Sequence, residues 1–396
     1  MSLPHDVVIV SGVRTAVGTF GGSLKDIAPT ELGARCVREA LKRATVNPSE
    51  VGSCVFGNVI HSEPKDMYMA RVAGIGGGLP ITTPALTVNR LCGSGVQAIV
   101  SAAQQIMLGD VAVAVAGGAE SMSRAPYSVP AARWGQKMGD AKVTDMMVAT
   151  LHDPFGHGHM GITAENVAAK WNVSREDQDA FALESQKRAA AARAAGYFKD
   201  QILPIEIESR KGTIVFDRDE HIREDASGDS LRGLKPVFKK DGTVTAGNAS
   251  GINDGAGALV LMSADEARRR GAKPMARILG YGHAGVEPSE MGIGPVPAVQ
   301  NAMKKIGLTV ADMDVIESNE AFAAQAIAVS RDLGFDPAKT NPNGGAIAIG
   351  HPVGATGAII TVKALYELKR TGKRYGLITM CIGGGQGIAL VIESVT

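Results

Sequence analysis

The chain repeats its own pattern of apolar runs and turns, and this internal repetition limits the possible folds more than any other feature. Three segments of the first half recur in the same order in the second half: 40–58 as 302–320, 111–122 as 377–387, and 257–262 as 388–393. In the first pair, ALKRATVNPSEVGSCVFGN and AMKKIGLTVADMDVIESNE each read as a helix end, a turn and a strand. Such a repeat predicts two structurally equivalent halves.

The two halves differ by one long insertion. The last two matching segments are contiguous in the second half, whereas residues 121–250 separate them in the first half. The insertion holds both tryptophans, a cluster of histidines, and an amphipathic helix expected around 175–195. The predicted domains are a first repeat over 1–120 and 251–271, an inserted domain over 121–250, and a second repeat over 272–396.

Short apolar runs bounded by glycine alternate with Ala-rich stretches of helical period. The runs read as buried strands, and their alternation with helices is typical of a layered α/β protein. The predicted fold class is therefore α/β, with duplicated layered repeats and an inserted loop domain.

Composition excludes several classes of protein. Lysine and arginine (41) nearly balance aspartate and glutamate (40), so no overall field attracts nucleic acid or an anionic membrane. The first residues lack the basic region and long apolar stretch of a signal sequence, so we expect none, and no run approaches the ~18 apolar residues of a membrane span. Four cysteines show neither the density of a disulfide scaffold nor the CxxC spacing of a zinc site. We expect a cytoplasmic protein without nucleic-acid or membrane partners.

Cys92 lies in NRLCGSG, immediately before an Ala-rich helix. The positive end of a helix dipole would stabilise its thiolate and make it a stronger nucleophile. The alternative is a buried structural cysteine. Gly93 and Gly95 favour the first interpretation, since close backbone approach beside a thiol suits a substrate.

His351 lies in NPNGGAIAIGHPVGATG, opposite Cys92 in the repeat alignment. Its imidazole could accept the thiol proton and later donate a hydrogen bond to an oxyanion. The alternative is a structural loop histidine. The pseudo-symmetry favours catalysis, because equivalent loops of two packed repeats meet at one crevice.

Cys381 ends the apolar run LITMC and precedes IGGGQG, whose backbone N–H groups are free for a ligand. A second thiol distinguishes condensation from hydrolysis, because one cysteine carries the acyl group while the other removes an α-proton. The alternative is a core cysteine. Cys36 and Cys54, in apolar settings on a helix and a strand, are predicted to lie in the core.

Other patterns point less clearly to a site. The glycine runs give neither a GxGxxG fingerprint nor a P-loop. A Gly-rich loop carries possible metal ligands without an HExxH spacing, so no metal site is predicted: His152, Asp153, His157 and His159. One basic set is either a solvated face or the place where the phosphates of a CoA-like anion bind: Arg223, Arg232, Lys235, Lys239 and Lys240.

Five motifs together resemble the thiolase family: NRLCGSG, NASGIND, SNEAFAAQ, NPNGGAIAIGHPVGATG and CIGGGQG. They occur in family order, and the likeness runs end to end, closest to the bacterial β-ketothiolase and acetyl-CoA acetyltransferase branch. The resemblance implies an α-β-α-β-α fold. It also implies reversible Claisen condensation of acetyl-CoA with an acyl-CoA, and thiolysis of 3-ketoacyl-CoA.

The resemblance also implies catalytic roles. Cys92 would be the acylated nucleophile, Cys381 the acid/base that deprotonates acetyl-CoA, and His351 the activator of Cys92. His351 and a water held by Asn319 would form one oxyanion hole, and the backbone N–H groups of Cys92 and Gly383 the other.

Binding roles follow in the same way, with the inserted domain as the CoA-binding part. Ser250 would lie near the pantetheine and Arg223 near the adenine. Other residues implied to contact CoA or line its tunnel are Ser230, Leu234, Leu151, His159, Met160, Phe238, Met291 and Phe322. CoA would be a substrate carrier, no cofactor or metal would be needed, and the family is usually a homotetramer built from two dimers.

Two rival functions stay open. A decarboxylating 3-ketoacyl synthase shares the two-repeat architecture, and Cys381 in CIGGGQG argues against it. A catalytically silent acyl-CoA-binding or lipid-binding protein could use the same fold, and the set of Cys92, His351 and Cys381 argues against that.

Overall fold

The computed structural model describes residues 6–210 and 212–395. Its strands are β1 (Val7–Thr15), β2 (Gly18–Thr19), β3 (Ser53–Gly57), β4 (Ala85–Val88), β5 (Val113–Ser121), β6 (Tyr127–Ser128), β7 (Thr144–Asp145), β8 (Ile202–Leu203), β9 (Ile205–Ser209), β10 (Gly212–Phe216), β11 (Asn253–Ser263), β12 (Ala276–Gly285), β13 (Val315–Ser318), β14 (Tyr375–Ile382) and β15 (Gln386–Ser394). Its α-helices are α1 (Pro29–Ala44), α2 (Met69–Gly76), α3 (Ser94–Leu108), α4 (Met146–Thr150), α5 (Met160–Lys170), α6 (Arg175–Ala194), α7 (Gly228–Arg232), α8 (Ala264–Arg270), α9 (Pro295–Ile306), α10 (Ala323–Leu333), α11 (Ala346–Ile349) and α12 (Thr356–Thr371).

The main sheet repeats one strand arrangement in both halves. Its order is β4-β3-β5-β11-β1-β12-β15-β14-β13. In the first half β3 is parallel to β5, while β11 is antiparallel to both β5 and β1. In the second half β13 is parallel to β14, while β15 is antiparallel to both β14 and β12. The strands that match are those of the sequence repeat, so the predicted duplication is confirmed.

Helices cover the two halves of the sheet in layers. Helices α1 and α2 pack on the outer face of the first half, and α9 packs on the outer face of the second. Helices α3 and α12 contact each other and lie between the halves. Three apolar cores fill the spaces between these layers. The order is α-β-α-β-α, which confirms the predicted fold class.

The two central helices are apolar on nearly every side, as a fully enclosed helix must be. In α12 even Lys363 and Glu367 are buried. The window Leu91–Leu108, which includes α3, is long and apolar enough by composition to cross a membrane. The prediction that no apolar run approaches the length of a membrane span was therefore wrong for this window. Because 61% of the window is buried inside the protein, its apolar surface is already used in the central layer.

The segment 121–250 supplies helices α4 to α7 and the hairpin β9-β10. The helix expected around 175–195 is α6, and Ser174 caps it by accepting a hydrogen bond from the backbone N–H of Asp177. Helix α6 packs against α10 and α11 of the second half. Within the same segment, β8 pairs with the end of β1. The segment therefore contacts both halves, and the domain boundaries stay a prediction.

Candidate active site

Most of the residues predicted for catalysis and for the CoA tunnel meet at one cavity of about 440 Å³. Its walls include the predicted catalytic residues Cys92, His351, Cys381 and Gly383. They also include the residues implied for the CoA tunnel: Leu151, His159, Met160, Arg223, Phe238, Ser250, Met291 and Phe322. Segments that are far apart in the sequence are thus brought to one place by the packing of the two repeats and the inserted segment.

A second cavity, of about 190 Å³, adjoins the first. Ser230 and Leu234 line it, and Arg223 and His221 line both cavities. Of the five basic residues considered from the sequence, Arg223 is the one found in these walls. Arg232 instead pairs with Asp229 on the surface.

Cys92 lies on a tight turn just before α3. The preceding Leu91 adopts a positive φ of 44°. The hydroxyl of Ser94 holds the turn, donating to the carbonyl of Leu91 at 2.7 Å and accepting from the N–H of Arg90 at 2.9 Å. A left-handed conformation is unfavourable for leucine, and the surrounding hydrogen bonds maintain it. The turn exposes the Cys92 sulfur to the cavity.

The two glycines after Cys92 serve a different purpose from the one expected. A Cβ on Gly93 would lie 2.5 Å from the Ile382 side chain, and one on Gly95 would lie 2.5 Å from the backbone N of Ala358. Close packing of α3 against β14 and α12 therefore requires these glycines. The interpretation that they make room for a substrate was wrong.

The protonation state of Cys92 also differs from the expectation. Burial raises the pKa of the Cys92 thiol to about 11, and the N–H groups of Gly383 and Cys92 oppose this increase. A thiolate would lose its hydration inside the cavity, and this outweighs the favourable helix end. In the unliganded site Cys92 is a thiol, so its activation requires a base.

The same two N–H groups define an oxyanion-binding position. The backbone N–H groups of Cys92 and Gly383 both lower the pKa of the Cys92 thiol, as hydrogen-bond donors to its sulfur would. Gly383 begins the β14-β15 turn, in which Gly384 and Gly385 have φ values of 80° and 82°. A Cβ on Gly383 would lie 2.9 Å from the Met160 methyl group. Two preorganised donors beside a nucleophile are suited to a tetrahedral oxyanion.

The imidazole of His351 is buried and held at both nitrogens. Nδ1 lies 2.6 Å from Thr356 Oγ1, which donates its own proton to the carbonyl of Pro352 at 2.8 Å. Nδ1 must therefore carry a proton, which leaves Nε2 as the basic atom. Nε2 lies 3.5 Å from Asn319 Nδ2. Burial lowers the pKa of His351 to about 4, so the ring is a neutral base at physiological pH.

Asn319 lies behind His351 rather than in the cavity wall. It is buried and follows β13 directly, and its Oδ1 has no protein partner among the described residues. A buried amide oxygen normally has a hydrogen-bond partner, and ordered water is the usual one where protein offers none. This free acceptor fits the water implied for Asn319.

Cys381 is fully buried near the end of β14. Burial and the nearby Cys92 sulfur raise the pKa of Cys381 well above its ordinary value. Its apolar neighbours include Met160, Met291 and Phe322. Cys36 and Cys54 are 0% and 1% exposed in the core, as predicted.

Glu120 is a buried carboxylate that the sequence analysis missed. It accepts hydrogen bonds from the backbone N–H groups of Val59, Ile60 and Gly354 and from the amide of Asn58. It thereby ties loops of both repeats together beside the cavity. A glutamate at the end of a long buried strand was the available signal, because a buried carboxyl group needs hydrogen-bond partners.

The histidine-rich loop is explained by local structure. Asp153 Oδ2 accepts from the N–H groups of Phe155 and His157, and His159 Nδ1 accepts from the N–H of Gly161 to cap α5. The ring of His159 stacks on Phe238 at 4.6 Å between centroids. Within residues 6–210 and 212–395, no cluster of three or more potential ligands could hold a metal ion.

Comparison with known proteins places this geometry in a family. Residues 7–265 match the thiolase N-terminal domain, and residues 272–394 match the thiolase C-terminal domain. The chain is 65% identical over 394 residues to the β-ketothiolase BktB of Cupriavidus necator, covering 99% of this chain and 100% of that protein.

Solved structures agree. The acetyl-CoA acetyltransferase of Bacillus anthracis superposes with a TM-score of 0.97 at 47% identity, over 100% of both chains. Human mitochondrial 3-ketoacyl-CoA thiolase in complex with CoA gives a TM-score of 0.96 at 48% identity, again over 100% of both chains. The sequence matches, the fold and the two facing cysteines lead to one conclusion: the chain belongs to the thiolase family.

Proposed function

We propose that the chain is an acetyl-CoA C-acyltransferase that joins acetyl-CoA to an acyl-CoA and cleaves 3-ketoacyl-CoA with CoA, through an acyl group on Cys92. The observation that carries this proposal is that two thiols, Cys92 and Cys381, face one cavity beside a neutral histidine. The names of the relatives agree, since they include β-ketothiolase and acetyl-CoA acetyltransferase.

In the first half-reaction, Nε2 of His351 takes the Cys92 thiol proton as the sulfur attacks the thioester carbonyl. The N–H groups of Cys92 and Gly383 stabilise the oxyanion. When the carbon–sulfur bond to CoA breaks, Cys381 donates its proton to the departing thiolate. CoA leaves as a thiol, and the site holds acyl-Cys92, a Cys381 thiolate and a His351 imidazolium.

This charge distribution prepares the second half-reaction. The Cys381 thiolate removes a methyl proton from acetyl-CoA, and the imidazolium of His351 with a water on Asn319 stabilises the enolate oxygen. The enolate carbon attacks the acyl carbonyl, and Cys92 leaves as a thiolate that recovers the proton from His351. Cys381 keeps the proton it removed, so the initial state is restored. The nucleophile, acids and bases of every step belong to this chain, and we propose that no metal or redox cofactor takes part.

The two cavities suggest how CoA lies in the protein. Phe238, Met291 and Phe322 provide apolar walls for the pantetheine beside Ser250. Ser230 and Leu234, in the adjoining cavity, would meet the adenosine end. Arg223 lines both cavities, so its charge can meet a phosphate or the adenine where they join.

Proton exchange separates this proposal from its rivals. Wild-type enzyme should exchange deuterium into the methyl group of acetyl-CoA, whereas Cys381→Ala should accept an acetyl group on Cys92 but exchange ~10²–10⁴-fold more slowly. A silent binding protein would exchange nothing as wild type, and a decarboxylating synthase would need malonyl-CoA. Full exchange in Cys381→Ala would contradict the two-thiol mechanism.

We also propose that the protein is a homotetramer. Two separate apolar surfaces support this: the sheet edge formed by strand β4 with the exposed Ile81 and Leu86, and the 127–143 segment with Trp134 and Met138, 84% and 90% exposed. Two self-complementary surfaces on one chain give a dimer of dimers. Sedimentation should show tetramers for wild type and dimers for Trp134→Ser with Met138→Ser. Monomers or unchanged tetramers would contradict this assignment.

We place the enzyme in the cytoplasm. All four cysteines are free. The proposed chemistry needs Cys92 and Cys381 as reduced thiols, which suits a reducing compartment. Fractionation of cells that express the protein tests this.

A further inference from the structure

The two reactive thiols contact different apolar clusters. The cluster on the Cys381 side includes the methionine and aromatic side chains proposed to line the CoA tunnel: Met160, Met291, Phe322 and Phe238. Cys92 packs against a separate group, here called the acyl cluster: Ile60, Met122, Met147 and Val353, with Leu151 and Ile252 partly buried against them. The mechanism above assigns no task to most of the acyl cluster.

The acyl cluster forms one end of the active-site cavity. Met122, Val353, Leu151 and Ile252 line the cavity together with Cys92. Ile60 and Met147 pack behind them, 3% and 8% exposed, and are not part of the wall. The cluster is therefore an apolar recess with a closed back, directly beside the nucleophilic sulfur.

We propose that the acyl cluster is the subsite for the acyl chain carried by Cys92, and that Met122 and Val353 limit it to short chains. This inference rests on the proposed acyl-Cys92 intermediate. It adds the class of acyl substrate and the residues that select it.

The other directions around an acyl-Cys92 are occupied. Its carbonyl oxygen must meet the N–H groups of Cys92 and Gly383. Cys381 and His351 must reach the second acetyl-CoA, whose pantetheine needs the tunnel. The remaining direction, toward the acyl cluster, offers only apolar side chains, as a hydrocarbon chain requires.

Two buried carboxylates fix the backbone of the recess. Glu120 accepts from the N–H of Ile60 at 3.1 Å and from that of Gly354, next to Val353, at 2.8 Å. Asp254 holds the segment around Met122: it accepts from the hydroxyl of Ser121 and from both the N–H and the hydroxyl of Ser123. The walls cannot move back without breaking these bonds.

The side chains can still adjust within this fixed frame. Methionine is unbranched and flexible, so Met122 and Met147 can shift to admit a few added methylene groups. Val353 is β-branched and stiff. We therefore expect a gradual decrease in activity as the chain lengthens beyond short acyl groups.

Chain-length profiles of thiolysis test the inference. The substrates are acetoacetyl-CoA, 3-ketovaleryl-CoA, 3-ketohexanoyl-CoA and 3-ketooctanoyl-CoA, and the measured quantity is kcat/KM. Each methylene group of the substrate that is newly buried against apolar side chains should raise kcat/KM roughly fourfold. Met122→Ala should raise the ratio of 3-ketooctanoyl-CoA to acetoacetyl-CoA by on the order of tenfold. Met122→Phe should change this ratio in the opposite direction.

Met291→Ala is the matched control. Because Met291 lies on the Cys381 side, its replacement should change kcat/KM by the same factor for every chain length. Circular dichroism shows whether each variant folds. If Met122→Ala does not fold, Met122→Leu takes its place and should change the same kcat/KM ratio in the same direction by a smaller factor. An unchanged ratio in folded Met122 variants, or an equal shift in Met291→Ala, overturns the inference. A wild-type enzyme that cleaves none of the substrates would instead refute the proposed function.

Discussion

Nδ1 of His351 lies 2.6 Å from the hydroxyl oxygen of Thr356, and that hydroxyl donates to the carbonyl of Pro352 at 2.8 Å. Together these two hydrogen bonds of the Thr356 hydroxyl determine that Nε2, and not Nδ1, is the basic nitrogen of the imidazole. Thr356→Val should therefore lower kcat about tenfold or more with little change in KM, because a lost buried hydrogen bond leaves the ring free to reorient.

Thr356→Ser should keep most of the activity, since it retains the hydroxyl. Thr361→Val is a matched control: Thr361 is buried in the same helix and donates to the Gly357 carbonyl at 2.7 Å. It should destabilise the protein similarly while leaving kcat nearly unchanged. Equal kcat losses in the two valine variants would show that Thr356 acts only on stability.

The pKa of Cys92 gives a second prediction. Burial raises it to about 11, so the free enzyme should show no thiolate at Cys92 between about pH 5 and about pH 9. The ultraviolet thiolate absorbance of wild type minus Cys92→Ser measures this directly. A titration step near neutral pH in the difference would mean that a thiolate–imidazolium pair already exists without substrate.

Acetyl trapping tests the assignment of the nucleophile. Incubation with acetyl-CoA should leave one acetyl group on the peptide that carries Cys92, detected by mass spectrometry. Cys92→Ser should carry none, because a serine hydroxyl is far less readily ionised than a thiol. Cys54→Ser, which changes a core thiol, should be labelled like wild type. Label on Cys381 would reverse the two roles.

The position of Arg223 predicts a binding effect. Arg223→Ala should raise KM for CoA while kcat changes little, because an anchor far from the reacting atoms contributes similarly to ground and transition states. Arg232→Ala, which alters an exposed arginine of the same segment, should leave KM unchanged. A selective loss of kcat in Arg223→Ala would place the arginine at the reacting centre.

A buried ion pair fastens the segment 121–250 to strand β1. The guanidinium of Arg14 contacts both carboxylate oxygens of Asp219, at 2.7 and 2.9 Å, and both side chains are 0% exposed. Arg14→Met should lower the free energy of unfolding by about 3–5 kcal/mol, because it leaves an unpaired buried charge. Urea denaturation measures this. Arg218→Ala, which changes an exposed arginine, is the control and should change the free energy of unfolding by less than ~0.5 kcal/mol. An equally small change in Arg14→Met would show that Asp219 finds another partner.

Much of the architecture could be read from the sequence, because it depends on local patterns. Apolar runs between glycines became the buried strands β5, β11, β14 and β15, since a strand enclosed on both faces needs continuous apolar side chains. The repeat predicted the equivalent halves. Motif recognition also supplied the residues that line the cavity, because their identities and order are visible without coordinates.

Tertiary structure decided the protonation states of those residues and the hydrogen bonds that hold the loops around them. The sequence placed Cys92 before a helix and suggested a thiolate, yet the enclosing walls make the thiol more stable. Local sequence cannot show how much water reaches a sulfur, because the walls come from distant segments. The same is true of Glu120, which binds Gly354 across 234 positions of the chain.

One physical reason separates the features that the sequence determines from those that only the tertiary structure decides. Strand and helix formation, turns and repeats depend on neighbours along the chain, so the sequence by itself determined two layered α/β halves and a paired-cysteine chemistry. Solvation, hydrogen-bond partners and the shape of a recess depend on neighbours in space. Only the folded chain could therefore decide that Gly93 and Gly95 serve helix packing, and that Met122 and Val353 close the space beside Cys92.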